Sequence, residues 1–197
     1  MSSISEKRFQ KSTVKKVSLF EEYKEKIILD VGGGGEGIIG KIYGRNVISI
    51  DRKLDEIEET QNNSIKIVMD ACNMNFTSNQ FDVVTIFYTL MYMNAEEKER
   101  CIAESRRVLK PDGILEIWDV NIPAYNNDGK DIYLLQLHIN MPNESIETGY
   151  GVLMTERRQD KMDIKDMLVT KGFEIIEDEV YESNLYRIKC VKRSGIA

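Results

Sequence analysis

Lys26–Ile27–Ile28–Leu29–Asp30–Val31–Gly32–Gly33–Gly34–Gly35–Glu36–Gly37 decides how this chain is read. A continuous apolar run halted by glycines predicts a buried strand that turns sharply into a helix. Glycine there lets the backbone turn tightly and lets a ligand approach the N–H groups at the helix start. Four consecutive glycines in a merely permissive turn would lose conformational entropy without return. The spacing Gly32-x-Gly34-x-x-Gly37 fits a dinucleotide fingerprint, and Asp51 follows where a ribose-binding acid belongs. On spacing alone, a nicotinamide cofactor fits.

Further apolar runs lie at Val47–Ile50, Ile65–Met69, Phe81–Phe87 and Ile114–Trp118. β-branched runs alternating with helical segments predict parallel strands in βαβ units. A helix is expected from Ala95 to Leu109, ended by the turn Lys110–Pro111–Asp112–Gly113, and another from Asp160 to Lys171 with Gly172 beyond it. Phe173–Ile176 and Leu185–Val191 read as two closing strands joined by a short acidic loop, hence antiparallel. Ile132–Asn140 and Ile146–Thr155 alternate around Pro142–Asn143–Glu144 as an inserted β-hairpin. Its face of Tyr133, Leu135, Leu137 and Ile139 must be buried against something. Met1 to Lys16 is polar and basic, a frayed terminus or a lid, and Val17–Leu19–Phe20–Tyr23 has the spacing of a short packing helix. The expected organisation is an arm with a short helix over 1–25 and one domain over 26–193, with the hairpin at about 131–156.

The 197 residues carry 27 Lys+Arg against 33 Asp+Glu, a net charge of −6 that argues against a duplex-DNA partner. No segment approaches the ~20 apolar residues of a membrane span, and the polar N-terminus lacks a signal-peptide core. Cys72, Cys101 and Cys190 are scattered, which argues against a disulfide scaffold or a zinc site. A cytoplasmic, single-domain protein without metal or membrane partner is the expectation.

Three features turn the cofactor question away from a dinucleotide. Asp30, just before the glycines, would oppose a pyrophosphate but suit a cationic cofactor. Met69–Asp70–Ala71 ends the third strand with a carboxylate able to accept from an adenine amino group. The chain closes on an antiparallel strand. With these in place, the sequence resembles the class I S-adenosylmethionine-dependent methyltransferases from about Lys26 to Arg193. Ile28–Gly34 is similar to the family's first motif, Ile50–Asp51 to its second, Asp70–Ala71 to its third, and Phe81–Val84 to its fourth strand. Arg107–Val108–Leu109–Lys110–Pro111–Asp112–Gly113 resembles the family's "RVLKPGG" turn. The family's third glycine falls on Glu36 here, with glycine one position later at Gly37.

The resemblance implies a Rossmann-like α/β fold, a mostly parallel seven-stranded sheet with an antiparallel last strand. It implies S-adenosylmethionine as cofactor and S-adenosylhomocysteine as product. Gly32, Gly33 and Gly34 would hold the methionine part beside Asp30, and Asp51 the ribose hydroxyls. Arg52 would flank the adenine, and Asp70 and Ala71 would read it. Phe87 and Tyr88 would face the sulfonium and the acceptor, aromatic faces tolerating a cation.

Methyl transfer from a sulfonium is an in-line displacement, so alignment and desolvation supply much of the rate. His138, the lone histidine, would be well tuned as a base, but a single histidine on a strand is more often structural. Tyr88 and Tyr92 are the other catalytic candidates, Tyr92 with a core role as its alternative. Trp118, Asp119 and Asn121 end the fifth strand near the expected acceptor. No Asn/Asp-Pro-Pro-Tyr follows the fourth strand, and the charge is acidic, so a small-molecule acceptor is favoured. The hairpin reads as a wall over the pocket or as a homodimer contact. A NAD-dependent oxidoreductase and a non-catalytic methyltransferase-fold binding module are the rival readings.

Overall fold

The computed structural model describes residues 6–155 and 157–193. Its elements in chain order are β1 (Phe9–Ser18), β2 (Ile28–Val31), α1 (Ile38–Tyr43), β3 (Val47–Asp51), α2 (Leu54–Glu59), β4 (Ile65–Val68), β5 (Phe81–Phe87) and α3 (Ala95–Val108). There follow β6 (Leu109–Val120), β7 (Ile132–Asn140), β8 (Ser145–Leu153), α4 (Lys161–Thr170), β9 (Glu174–Tyr181) and β10 (Leu185–Val191).

Seven strands form the main sheet in the order β4-β3-β2-β5-β6-β10-β9. The inner strands run parallel, and β10 is antiparallel to both β6 and β9. This is the expected Rossmann-like methyltransferase sheet. Every residue of β2 is buried, so it needs the unbroken apolar run that the sequence shows. Strand order reverses between β3 and β5 around β2, and ligands of open α/β sheets bind beyond the carboxyl ends of strands at such a switch point.

One face of the sheet packs on α3 and α4 through Leu115, Ile117, Ile102, Leu168 and Tyr186. Asn94 caps α3 in a reciprocal box with Glu97 (2.8 and 2.9 Å). The other face is covered by α1 and by a second, three-stranded sheet ordered β1-β7-β8. Tyr133, Leu135, Leu137 and Ile139 project from β7 into that contact, with Val17 of β1 and Val152 of β8 beside them. The apolar hairpin face is therefore covered within the chain itself.

Several expectations need correction. The short helix over Val17–Tyr23 does not form: the arm is strand β1, parallel to β7 and followed by an irregular stretch. Its partner lies 123 residues away, and local periodicity carries no trace of so distant a pairing. Where the β1 register slips between Lys11 and Val14, the Ser12 hydroxyl accepts the Gln136 N–H (3.0 Å). The first five residues of the arm, and Glu156 at the hairpin's edge, lie outside the described residues.

The Lys110–Gly113 turn is a bulge inside β6, with Leu109 paired to Phe81 and Ile114 to Val83. Asp112 sits there at φ +58°. The acidic loop before β10 is mostly strand, since β9 continues to Tyr181; charged residues are tolerated there because β9 is the sheet edge.

Leu135 is fully buried where the two sheets meet, whereas Val14 on β1 is 53% exposed. Leu135→Ala is expected to cost about 2–5 kcal/mol of unfolding free energy in urea, and Val14→Ala to stay within about 0.5 kcal/mol of the parent. Equal effects would contradict the docking of the hairpin face.

Candidate active site

The glycine loop is pinned before it can meet a ligand. Gly32 and Gly33 donate their N–H groups to Ile50 O (2.8 and 3.0 Å), and Gly35 donates to Glu56 O (2.8 Å). Two of the donors expected to face the cofactor are therefore spent on holding the loop against β3. Gly32 has φ +75°, and a Cβ there would lie 2.3 Å from Thr89 Oγ1, so no other residue fits between β2 and the turn after β5. Gly37, at φ +57°, begins α1 under Asn62, and that local requirement explains why the last glycine falls one position late.

Asp30 does not line the cleft. It is 2% exposed, accepts from the Thr85 hydroxyl (2.9 Å), and would lie 2.3 Å from a Cβ on Gly33. Burial pushes its carboxyl up to about 7, with the Asp51 charge adding to the shift. Asp30 thus supports the loop from beneath rather than balancing a cationic ligand directly.

Above the carboxyl ends of β2 to β5 opens a cleft of about 470 Å³, within the ~300–1,000 Å³ typical of small-molecule sites. Gly32, Gly34, Asp51, Arg52, Asp70, Ala71, Phe87, Tyr88 and Tyr92 all line it. Asp51 accepts the Lys53 N–H (2.9 Å), and its half-buried position raises its pKa. A Cβ on Gly34 would come within 3.1 Å of the second Asp51 oxygen, so the glycine keeps open the space over that carboxylate. Asp70 accepts the Cys72 N–H (2.8 Å), which fixes its carboxyl at the end of β4. Arg52 is held across the cleft mouth by Glu97 of α3 (3.6 Å).

The far wall comes from the hairpin. Gly149, Tyr150 and Gly151 of β8 line the cleft, and the Tyr150 ring stacks on Tyr88 at 5.7 Å between centroids. Thr148 donates to Glu36, Tyr150 donates to the same carboxylate (3.4 Å), and Lys41 pairs with Glu144 at the hairpin turn (3.4 Å). Glu36, standing where the resembled family has glycine, thus ties the glycine loop to the hairpin. Sequence reading missed Tyr150 because its signal is only the alternation of β8, which gives the face and not what lies opposite it.

Tyr88 sits at φ +49°, a left-handed conformation that costs a non-glycine residue about 1–3 kcal/mol. Burial raises the pKa of both Tyr88 and Tyr92, so each meets the cleft as a neutral hydroxyl. His138 is not brought to the site. It alternates away from the buried β7 face, beside Asn140 (3.2 Å) and Glu147 (3.5 Å). The strand-end candidates do not line the cleft: Asp119 is fully buried, accepting the Val120 N–H (2.9 Å), and Asn121 accepts the Lys161 N–H (2.7 Å). Burial makes Cys101 and Cys190 inert thiols, and Cys72, at the cleft, is raised to about 11.

Comparison with known proteins agrees with this geometry. The Methyltransferase domain family matches residues 29–117. A ubiquinone/menaquinone biosynthesis C-methyltransferase of Blochmanniella pennsylvanica is 32% identical over 123 residues, covering 59% of this chain and 47% of its own. Its counterpart in Stutzerimonas stutzeri is 31% identical over 151 residues, covering 73% and 57%. The chain therefore spans about half the length of the curated relatives it matches. Among solved structures, a S-adenosylmethionine-dependent methyltransferase of Methanosarcina mazei superimposes with TM-score 0.61 at 19% identity, covering 86% of this chain and 93% of that one. The [4+2]-cyclase SpnF superimposes equally well, at TM-score 0.61 and 16% identity over 85% and 75% of the two chains.

The pH dependence of stability tests the buried carboxylate. Because Asp30 titrates higher folded than unfolded, its contribution is fully present below the ordinary 3.8 and is lost as pH rises through about 7. Asp30→Asn is expected to flatten the fall in unfolding free energy between pH 5 and 7 by on the order of 2 kcal/mol. An unchanged slope would place the Asp30 carboxyl in contact with water.

Proposed function

The chain belongs to the class I S-adenosylmethionine-dependent methyltransferases, and from that membership we propose that it transfers a methyl group to a small-molecule acceptor. The observation that carries this reading is the pair of carboxylates, Asp51 and Asp70, fixed at neighbouring strand ends and lining one cleft, with Gly34 leaving open the space beside Asp51. Vicinal ribose hydroxyls match the first carboxylate and an adenine amino group the second.

When bound, S-adenosylmethionine supplies an electrophilic methyl on a sulfonium, which is displaced in line and leaves the electron pair on sulfur. The chain's own residues hold and dry that reaction. Phe87 and Tyr88, edge to face at 4.8 Å, present aromatic surface at the end of β5. Tyr150 closes the side toward the hairpin and excludes water, which strengthens every interaction inside. The hydroxyls of Tyr88 and Tyr92 donate hydrogen bonds that orient an acceptor. Neither acts as an anionic base, since burial keeps both protonated. His138 takes no part, and an acceptor that must lose a proton loses it before binding.

Acidic composition and a cleft narrowed by the hairpin support a small acceptor over a macromolecule. No helix among the described residues is long and apolar enough to cross a membrane. A cytoplasmic location belongs to the same reading. A homodimer through the hairpin loses its motive, because the face that would form it is covered by the chain. The likeness to a cyclase has the plain meaning that this fold hosts more than one reaction, so the assignment rests on the site.

Calorimetry with the purified chain tests this directly. S-adenosylmethionine is expected to bind in the micromolar range, NADH not to bind, and Asp51→Ala to weaken the former at least tenfold, about 1.4 kcal/mol. Binding of NADH alone would overturn the reading.

A further inference from the structure

A lysine is almost never buried without a carboxylate beside it. Glu116 shows the corresponding rule for an acid: it is 1% exposed, in the inner cavity that the segment after β1 closes, and it meets Arg187 and Tyr23 there. Lys98 of α3 departs from the rule. It is 3% exposed and forms no ion pair among the described residues. Its ammonium donates to Arg158 O (3.1 Å), which leaves two of its three N–H groups without an acceptor among the described residues. Burial pushes that ammonium below its ordinary range, with Asp119 and Asp163 opposing the shift.

Lys98 lines a pocket of about 390 Å³ between α3 and α4, distinct from the cofactor cleft. Ile164 and Gln159 share the buried part of its lining with Lys98, while Asp163, Asp166 and Glu99 stand exposed around it. Glu99 pairs with Lys171 (3.3 Å), whereas Asp163 and Asp166 form no hydrogen bond or ion pair among the described residues. The pocket thus has an unmatched cation at its floor and two unmatched carboxylates at its rim. A simple anion is opposed by the rim and a simple cation by the floor. A zwitterion satisfies both.

One strap connects this pocket with the cofactor cleft. Lys98 holds Arg158 O, Arg157 Nε donates to Tyr92 O (3.1 Å), and Gln159 Nε2 donates to Val120 O (3.1 Å). Tyr92 lines the cleft, and so does Glu97, the neighbour of Lys98 that reaches Arg52.

We propose that the pocket between α3 and α4 binds a small zwitterionic amino acid, its carboxylate toward Lys98 and its ammonium between Asp163 and Asp166, as an effector of the cofactor cleft. The ligand carboxylate draws the Lys98 ammonium from Arg158 O, which loosens the strap that holds Tyr92. Binding at the pocket stands on its own residues, and the effector role rests on the methyltransferase reading. Coupling is reciprocal, so the amino acid and the cofactor weaken one another by the same factor.

Calorimetry on the full chain tests this with four probes of one chain length: 2-aminopentanoate, 5-aminopentanoate, pentanoate and pentylamine. At least one aminopentanoate is expected to bind tenfold or more tightly than both singly charged probes. The double variant Asp163→Asn with Asp166→Asn, at exposed positions, is expected to weaken it at least fivefold and to leave S-adenosylmethionine affinity unchanged in its absence. Lys98→Met is expected to weaken it at least tenfold; should that variant not fold, the aspartate pair carries the test. A saturating aminopentanoate is expected to weaken S-adenosylmethionine at least threefold in the parent. Pentanoate or pentylamine binding as tightly as both aminopentanoates, or an unaffected double variant, would overturn the pocket. Aminopentanoate binding with unchanged cofactor affinity would overturn the effector role. Failure of S-adenosylmethionine to bind while an aminopentanoate still does would instead strike the methyltransferase reading, and the effector role with it.

Discussion

Four side chains on alternate positions of one strand determine how this molecule is put together. Tyr133, Leu135, Leu137 and Ile139 of β7 are each at most 4% exposed, and they dock a small three-stranded sheet onto the main one. Burying a side chain of this kind gains about 1.5–3 kcal/mol, and the period of two fixes which face turns inward. A slip of one residue would expose all four. Because the register is fixed, β8 arrives beside the glycine loop, β1 finds a parallel partner, and the segment after β1 closes the inner cavity. The cleft has a second wall only because this contact holds.

The glycine loop performs a narrower task than its composition suggests. Its first two N–H groups tie it to Ile50, and the buried Asp30 fills the space beneath Gly33. Glycine is needed there for close packing from two sides: Thr89 above Gly32 and Asp30 below Gly33. The cleft is walled instead by carboxylates at strand ends, by aromatic rings at the end of β5, and by the hairpin held by Glu36.

Much of this was legible in the sequence. Unbroken apolar runs such as Ile28–Val31 place the parallel strands, and residues at their carboxyl ends fall together because the topology puts them there. Asp51, Asp70, Phe87 and Tyr88 line one cleft for that reason. The hairpin boundaries follow from alternation around Pro142. Illegible were the features that depend on a distant partner. Polar β1 gives no local sign of its pairing with β7, and His138 could be placed on a strand but not given a neighbour. Tyr150 and Glu36 become site residues only through a contact spanning 114 positions. Asp30 carries a signal for acidity at the loop, and only burial shows that it works from below.

The hairpin walls the same cleft that Asp51 and Asp70 line. Hydrogen exchange of the full chain, with and without S-adenosylmethionine, reads it most directly. Added protection is expected at residues 30–37, 51–56 and 69–72 and, together with them, at 148–152 of β8. Protection confined to the strand ends, with β8 exchanging as before, would contradict it.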